Sequence, residues 1–470
     1  DLTGHRARSW QRVTLGAAGD GVVSGLRHEV VNAVAAHDGY GDPAGVGTRM
    51  LYAVPHLETV HRQVAMHLPA ATFMRAPGEA PGSFALECAL DELAAATGVD
   101  PVELRLRNHA DHDPENGRPW SSKRLRECYA LAAERFGWAA RDPRPRSMTD
   151  GGLLVGWGMA TATYPSGRGA ATARVRLLPD GGAEVASATT DLGTGMTTMM
   201  AAVAAEELGL AMAAVRVEIG DTRLPAGAFS GGSTGATTSG AAVRVAAAAA
   251  LVKAVELAVE DEASPLYGAP ESEVVATGGG IELRGDRSRR DTYAAMLRRL
   301  GIPVIEATVE ATPGEVAGRY SMHAFGAQFV EVAVDPDLLT VRARRVVGCF
   351  DAGRILSPVT ARSQLAGGII QGIGMALTEG GALDERSGRV IVRDLVDYHV
   401  PVHADIPAID VLWVGGEDPY VSEVGAKGIG EIGITGVAAA VANAVHHATG
   451  IRVRDLPITV DRLLGRRAEG

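Results

Sequence analysis

Three segments place small residues and hydrogen-bonding side chains where an extended stretch gives way to a helix. They are Asp191-Leu-Gly-Thr-Gly-Met196, Ser230-Gly-Gly-Ser-Thr-Gly235 and Gly425-Ala-Lys-Gly-Ile-Gly-Glu431. Glycine lets consecutive N–H groups turn toward a ligand, and the positive end of the helix dipole adds to the attraction. Such loops suit an anionic, acceptor-rich ligand, a phosphorylated cofactor above all. None ends in the Gly-Lys-Ser/Thr of an ATPase phosphate loop. None reads Gly-x-Gly-x-x-Gly after a strand with an acid about 20 residues on. Each loop alone also suits a tight turn between strand and helix; three in one chain favour a cofactor.

The third loop adds two charges, Lys427 and Glu431, with Ile429, Ile432 and Ile434 close by. A carboxylate among small and apolar residues is poorly hydrated, the setting that makes a general base. The plainer reading is an acid that is solvated or paired with Lys427. His109, Asp111, His112 and Asp113 read as a solvated polar turn. His446 and His447 have no carboxylate or cysteine partner at ligand spacing, which argues against zinc.

The elements that must position these loops follow from periodicity and punctuation. Gln11–Leu15 and Gly25–Val34 flank a Gly/Asp turn and predict a hairpin. Ser83 is expected to cap a helix through Thr97 that Gly98 stops, and Asp100-Pro101 to start a short one. Ser121 or Ser122 should open a helix to Phe136 that ends at Gly137. Strands are expected at 173–178 and 183–189 around Pro179-Asp-Gly-Gly182, at 215–220, and at 326–335 and 339–350 around Pro336-Asp337. Helices are expected at 196–208, from Gly235 to about Glu262, at 360–377 and at 435–449. The polar, Pro-containing stretch 141–150 divides the chain into expected domains of residues 1–150 and 151–470.

Composition bounds the class. The 470 residues are 46% hydrophobic and 21% charged, enough to bury a core. The net charge of −11 and the lack of a basic block argue against a nucleic-acid partner. No apolar run approaches the ~18 residues of a membrane span. Three cysteines (Cys88, Cys128 and Cys349) are too few and too scattered to hold an iron–sulfur cluster. Glycine accounts for 59 residues, close to twice the usual share of ~7%, yet there is no low-complexity linker to absorb it. A mixed α/β protein is expected. The chain enters strand-like sequence soon after Asp1, with no signal peptide visible, and an N-terminal part that is absent, cleaved or carried by another chain is expected.

Taken together, the motifs resemble the molybdopterin-binding subunit of the xanthine dehydrogenase/aldehyde oxidoreductase family. Phe73-Met-Arg-Ala-Pro-Gly-Glu-Ala-Pro81 resembles its arginine loop, and 191–196 its pterin loop. Ser230-Gly-Gly-Ser233 is similar to its small-residue loop near the metal. Asp351-Ala-Gly-Arg-Ile-Leu-Ser-Pro358, with Gln364-Leu-Ala-Gly367 and Gln371-Gly-Ile-Gly374, is similar to its dinucleotide-binding region. Gly425–Glu431 resembles the loop that ends in its catalytic glutamate. The order and spacing agree along nearly the whole chain, and the arginine and glutamate loops look most like those of bacterial aldehyde oxidoreductases.

The resemblance implies molybdenum held by the dithiolene of a molybdopterin, in its cytosine dinucleotide form, with no protein ligand to the metal. It implies contacts to that cofactor from Gly193, Thr194, Gly195, Gly231, Gly232, Ser233, Arg354, Ile355, Ser357, Thr360, Gln364, Lys427, Gly428, Ile429 and Gly430. Glu431 would be the base toward a metal-bound hydroxyl, and Arg75, also a cofactor contact, the second catalytic residue. The family's N-terminal hammerhead domain is absent from this sequence, so a partner chain is expected to supply that half. [2Fe-2S] and FAD subunits are expected to take the electrons. Ala76-Pro77 stands where the carbon monoxide dehydrogenase branch has a copper-binding cysteine, which argues against a molybdenum–copper site. The implied reaction is aldehyde oxidation with water as the oxygen source. The alternatives are hydroxylation of an N-heteroaromatic or purine, a half-subunit inert without its partner, and a phosphate-ligand binding module. A cytoplasmic location is expected, with export in company of a partner as the other possibility.

Overall fold

A computed structural model describes residues 4–384, 386, 387 and 389–467. Alternation builds the first sheet. Ser9–Ala17 alternates half-buried and exposed positions and pairs antiparallel with Val23–Ala35, which runs parallel to His56–Met66. The expected hairpin is present; the third strand, made largely of exposed residues, carried no apolar alternation to betray it.

The largest sheet has five strands in the order Ala408–Val414, Val341–Asp351, His323–Val334, Leu153–Pro165 and Met148–Asp150. Its central strands are buried on both faces. The helix Val437–Thr449 lies against Leu153–Pro165 so closely that a Cβ at Gly156 or Gly158 would stand 1.9 and 2.3 Å from the carbonyl oxygens of Ala444 and Ala440. That approach explains why the strand is rich in glycine and alanine and escapes sequence reading. Helix Leu125–Phe136 packs on the sheet through Phe136, which meets Trp157 and Phe329 at ring-centroid distances of 5.1 and 5.7 Å.

A four-stranded sheet (Ile305–Ala311, Ala171–Leu177, Ala183–Ala186 and Val215–Glu218) is covered by helices Met196–Leu208 and Gly235–Glu260. The long helix presents Ala246, Ala247, Ala250, Ala254 and Ala258 to the core. A peripheral sheet of Val274–Thr277, Gly280–Leu283 and Asp286–Thr292 completes the mixed architecture.

Several expectations need correction. Ser83 does not cap its own helix: that helix begins at Glu79, after Gly78 at φ +91°, and the Ser83 hydroxyl donates to the Ala80 carbonyl inside the first turns and accepts from the Gly436 N–H at 3.0 Å. The first turn tolerates Pro81, which has no N–H to donate, because an N–H at that position would have no partner within the helix. Helix Leu125–Phe136 starts after Ser121 and Ser122, whose hydroxyls donate to Asp418 at 2.7 and 2.8 Å. His109 and Asp113 are buried, not solvated, and the Asp113 carboxylate accepts from Ser321 at 2.5 Å.

Candidate active site

The glycine loops converge. One cavity of about 750 Å³ is lined by Arg75, Thr194, Gly195, Gly231, Gly232, Ser233, Arg354, Ile355, Ser357, Thr360, Gln364, Lys427, Ile429, Gly430 and Glu431. Gly193 and Gly428 do not line it, although their chain neighbours on both sides do. Gly193 holds φ +90° with open space where a Cβ would be. Gly428 lets two loops touch, since its Cβ would lie 2.1 Å from the Ser233 carbonyl oxygen.

Glu431 sits at the centre of this arrangement, partly buried. Its Oε1 accepts from the Ala76 N–H at 3.0 Å and its Oε2 from the Ser233 hydroxyl at 3.0 Å. Both donors hold left-handed backbone, Ala76 at φ 57° and Ser233 at φ 58°. Only four non-glycine residues among those described do so, and two of them grip this one carboxylate. Such strain persists only where the surroundings hold it, and it concentrates at functional sites. Tyr164, 5% exposed, lines the cavity near Glu431. Burial, then the nearby Glu431 charge, push its phenol well above the ordinary range. The carboxylate is therefore held by donors, where sequence reading anticipated a merely apolar shell.

The cations near the cavity are spoken for. The Arg75 guanidinium donates to the carbonyls of Gly430 at 2.7 Å and Gln364 at 2.8 Å, tying the glutamate loop to the helix Pro358–Leu377. Lys427 does not face Glu431. Its ammonium, fully buried, donates to Asp351 at 2.8 Å and to the Ser122 carbonyl at 3.0 Å, with Asp418 at 3.8 Å. Lys427 thus reaches the cavity wall through its backbone and clamps loop 425–431 from behind. Arg354 pairs with Glu206 at 2.5 Å.

The loop at 191–195 also departs from expectation. The N–H groups of Gly193 and Gly195 donate to Asp191 Oδ1 at 2.8 and 3.1 Å, so they are not free for a ligand. Burial opposes ionisation of Asp191. The backbone N–H groups of Gly195, Gly193, Thr197 and Thr194 outweigh it and hold the carboxyl below its ordinary value. The loop presents instead the side chain of Thr194 and the close Gly195–Thr360 contact, where a Cβ would stand 2.7 Å from Thr360 Cγ2.

Sequence reading missed Ala76 as a partner of Glu431 and Tyr164 as its neighbour. Strain and strand-end placement are tertiary facts, although the Arg75-Ala-Pro-Gly loop did mark the region. The cavity rim is apolar, with Phe73, Leu192 and Phe229 63%, 67% and 73% exposed. Helices Met196–Leu208, Gly235–Glu260 and Pro358–Leu377 all begin at the cavity, and none has a side-chain cap from its own N-cap residue. The Asp191 carboxylate already meets the first of these ends, and the other two helix dipoles, with Gly232 at φ +61° in the loop before Gly235, fit a phosphorylated, hydrogen-bonding group. Among the described residues no cluster of His, Cys, Asp and Glu could hold a metal ion, so a metal here would need its own organic ligand.

Residues 131–407 and 2–109 each match a molybdopterin cofactor-binding domain family. The chain is 40% identical to the aldehyde oxidoreductase molybdenum-binding subunit PaoC of Escherichia coli (strain K12), covering 99% of this chain and 61% of that protein. It is 31% identical to the putative xanthine dehydrogenase molybdenum-binding subunit XdhA of the same organism, covering 96% and 61%. Among solved structures, quinoline 2-oxidoreductase from Pseudomonas putida 86 aligns with a TM-score of 0.88 at 23% identity, covering 99% of this chain and 63% of that one. Aldehyde oxidoreductase from Desulfovibrio gigas aligns at 0.80 and 24%, covering 98% and 49%. The structural likenesses carry the fold. The chain spans about 61% of the length of these curated relatives.

Proposed function

Because this chain belongs to the molybdopterin cofactor-binding family of xanthine dehydrogenases and aldehyde oxidoreductases, we propose that it forms the catalytic part of a molybdenum hydroxylase that oxidises an aldehyde to a carboxylate. Water is the oxygen source: RCHO + H2O gives RCOOH, two protons and two electrons. When bound, the molybdenum–pterin group supplies the two-electron oxidation.

The chain's own residues do the rest. Thr194, Ser233, Thr360 and Gln364, with the uncapped helix ends at Gly235 and Pro358, would hold the cofactor. The likeness of Asp351–Pro358 and Gln364–Gly367 to the family's dinucleotide-binding region supports the cytosine dinucleotide form. Arg75 keeps the glutamate loop against that wall. Glu431 takes up a proton released as water's oxygen joins the carbonyl carbon, and the grip of Ala76 and Ser233 orients it before substrate arrives. The apolar rim at Phe73, Leu192 and Phe229 would admit the aldehyde and limit water. The aldehyde reading is favoured over a purine because the PaoC relative is closer than XdhA, 40% against 31%.

Two electrons must leave in each turnover. Three scattered cysteines cannot carry an iron–sulfur cluster, which supports [2Fe-2S] and FAD partner chains, together with a chain or segment supplying the remaining length of the relatives. Three unpaired cysteines also suit a reducing compartment, the cytoplasm.

The observation that carries the proposal is Glu431 on the cavity wall, held by two donors whose own backbone is left-handed. Glu431→Gln keeps the shape and removes the proton acceptor. In the purified complex, folding and molybdenum content should be retained while turnover falls at least ~10³-fold, about 4 kcal/mol in the barrier. Turnover within tenfold of wild type at full molybdenum loading would end the base assignment.

A further inference from the structure

The loop 425–431 is fastened twice. On the cavity side the Arg75 guanidinium holds the Gly430 carbonyl, and the Ala76 N–H meets Glu431. Three residues before Gly430, the Lys427 side chain is fully buried and ends between two carboxylates, Asp351 at 2.8 Å and Asp418 at 3.8 Å, themselves 3% and 0% exposed. Its third partner is the Ser122 carbonyl. Each carboxylate is fixed in turn. Asp351 accepts from the Arg124 N–H at 2.9 Å. Asp418 accepts from the hydroxyls of Ser121 and Ser122 and from the N–H groups of Tyr420 and Val421. One ammonium thus joins the end of the strand Val341–Asp351, residues 121–124, residues 418–421 and the glutamate loop. A buried ion cluster of this kind adds little net stability, since neutral groups of similar size often do as well. It does penalise any displacement, because an ammonium moved off its partners leaves buried charges uncompensated.

We infer that Lys427 is a positioning residue for the reaction: its ammonium, drawn to Asp351 and Asp418, sets the depth of loop 425–431 and so the reach of Glu431 into the cavity. The inference rests on Glu431 being the base. The backbone gives the same stretch a path of its own. The Lys427 N–H donates to the Ala352 carbonyl at 2.9 Å, and the Gly428 N–H to the Ser166 hydroxyl at 2.8 Å. A variant without the ammonium therefore has the means to keep the loop folded while Glu431 shifts.

The purified complex tests this with Lys427→Met and with the pair Lys427→Met and Asp351→Asn. The single variant strands two buried carboxylates and should melt below wild type. The pair removes one charge of each sign, and Asp418 keeps its four donors, so wild-type melting and molybdenum content should return. Its kcat should still fall about 10²-fold with KM within about threefold, the cost of misplacing a reacting group by about an ångström. The same pair is then measured on Glu431→Gln. A base that is absent cannot be misplaced, so the residual turnover there should fall by less than about threefold. An equal loss on both backgrounds would overturn the inference and leave the base in place. So would a pair whose kcat stays within about threefold of wild type, or one that fails to fold or to hold molybdenum. Turnover of Glu431→Gln within about tenfold of wild type would overturn both.

Discussion

Glu79 opens the helix Glu79–Thr97 only 6% exposed, three residues beyond the Ala76 N–H that Glu431 accepts. Burial first, then the charges of Glu431 and Asp42, push its carboxyl up to about 8 against the pull of its own backbone N–H. The group therefore binds a proton in the folded chain that the unfolded chain has released above about 4.5. Between those values the folded state carries more protons, so stability falls as pH rises from about 4.5 to about 8 and is level beyond. Glu79→Gln cannot titrate and should escape the decline. Thermal unfolding ought to show the variant matching wild type near pH 5 and exceeding it at pH 9 by about 2–4 kcal/mol. An equal difference at both pH values would mean that the carboxyl is ionised in the folded protein throughout. Glu79 and Glu431 are thus neighbouring carboxylates with different duties, one kept protonated by its surroundings and one held by donors.

The loops act as elements only because glycine lets them touch. Gly428 meets Ser233 with no room for a Cβ, the nearest atom being a carbonyl oxygen at 2.1 Å that cannot swing aside. Gly428→Ala must part loops 230–235 and 425–431 by about an ångström, and misplacement on that scale costs about 10²-fold in rate. Circular dichroism should show wild-type helix content while activity falls by that factor; full activity would mean that the loops yield without moving Glu431. Much of this element layout was legible. Gly98, Gly137, Gly209 and Gly450 end their helices in left-handed backbone as their positions in the chain suggest. Helix starts were less legible, because Glu79–Thr97 and Leu125–Phe136 begin without a side-chain cap and their serines bond elsewhere. The strand Leu153–Pro165 was hidden because its glycines answer to a helix more than 280 residues away in the chain. Every residue that bonds Glu431 was visible as a type; that Ala76 would bond it and Tyr164 lie near it was not, since nothing local dictates that meeting.

Across the whole molecule, buried histidines set the acid limit. His28, His109 and His447 are at most 9% exposed, and in each burial is the main cause that pulls the imidazole down to about 4. His447 is held between the Trp157 N–H at 2.9 Å and the Asp142 carbonyl, and His28 between Thr48 and Gln11. Unfolded, each takes a proton near pH 6.5. The stability they contribute is therefore full above about 6.5 and is lost as pH falls toward 4. Three such groups give a slope of up to about 4 kcal/mol per pH unit near pH 5. Unfolding temperatures measured from pH 7.5 to 5 should drop steeply below 6.5, and a flat profile would contradict the burial. The site itself is knit from distant parts: Arg75 bonds Gly430, and Ala76 bonds Glu431, across 355 residues of chain. At a ribosome adding about 5–20 residues each second, the arginine loop waits roughly 20–70 s before its partner emerges. Throughout that interval the cofactor has no complete wall to bind. Cofactor insertion is thus a late event in the life of the chain, one that can follow only after synthesis has passed Glu431.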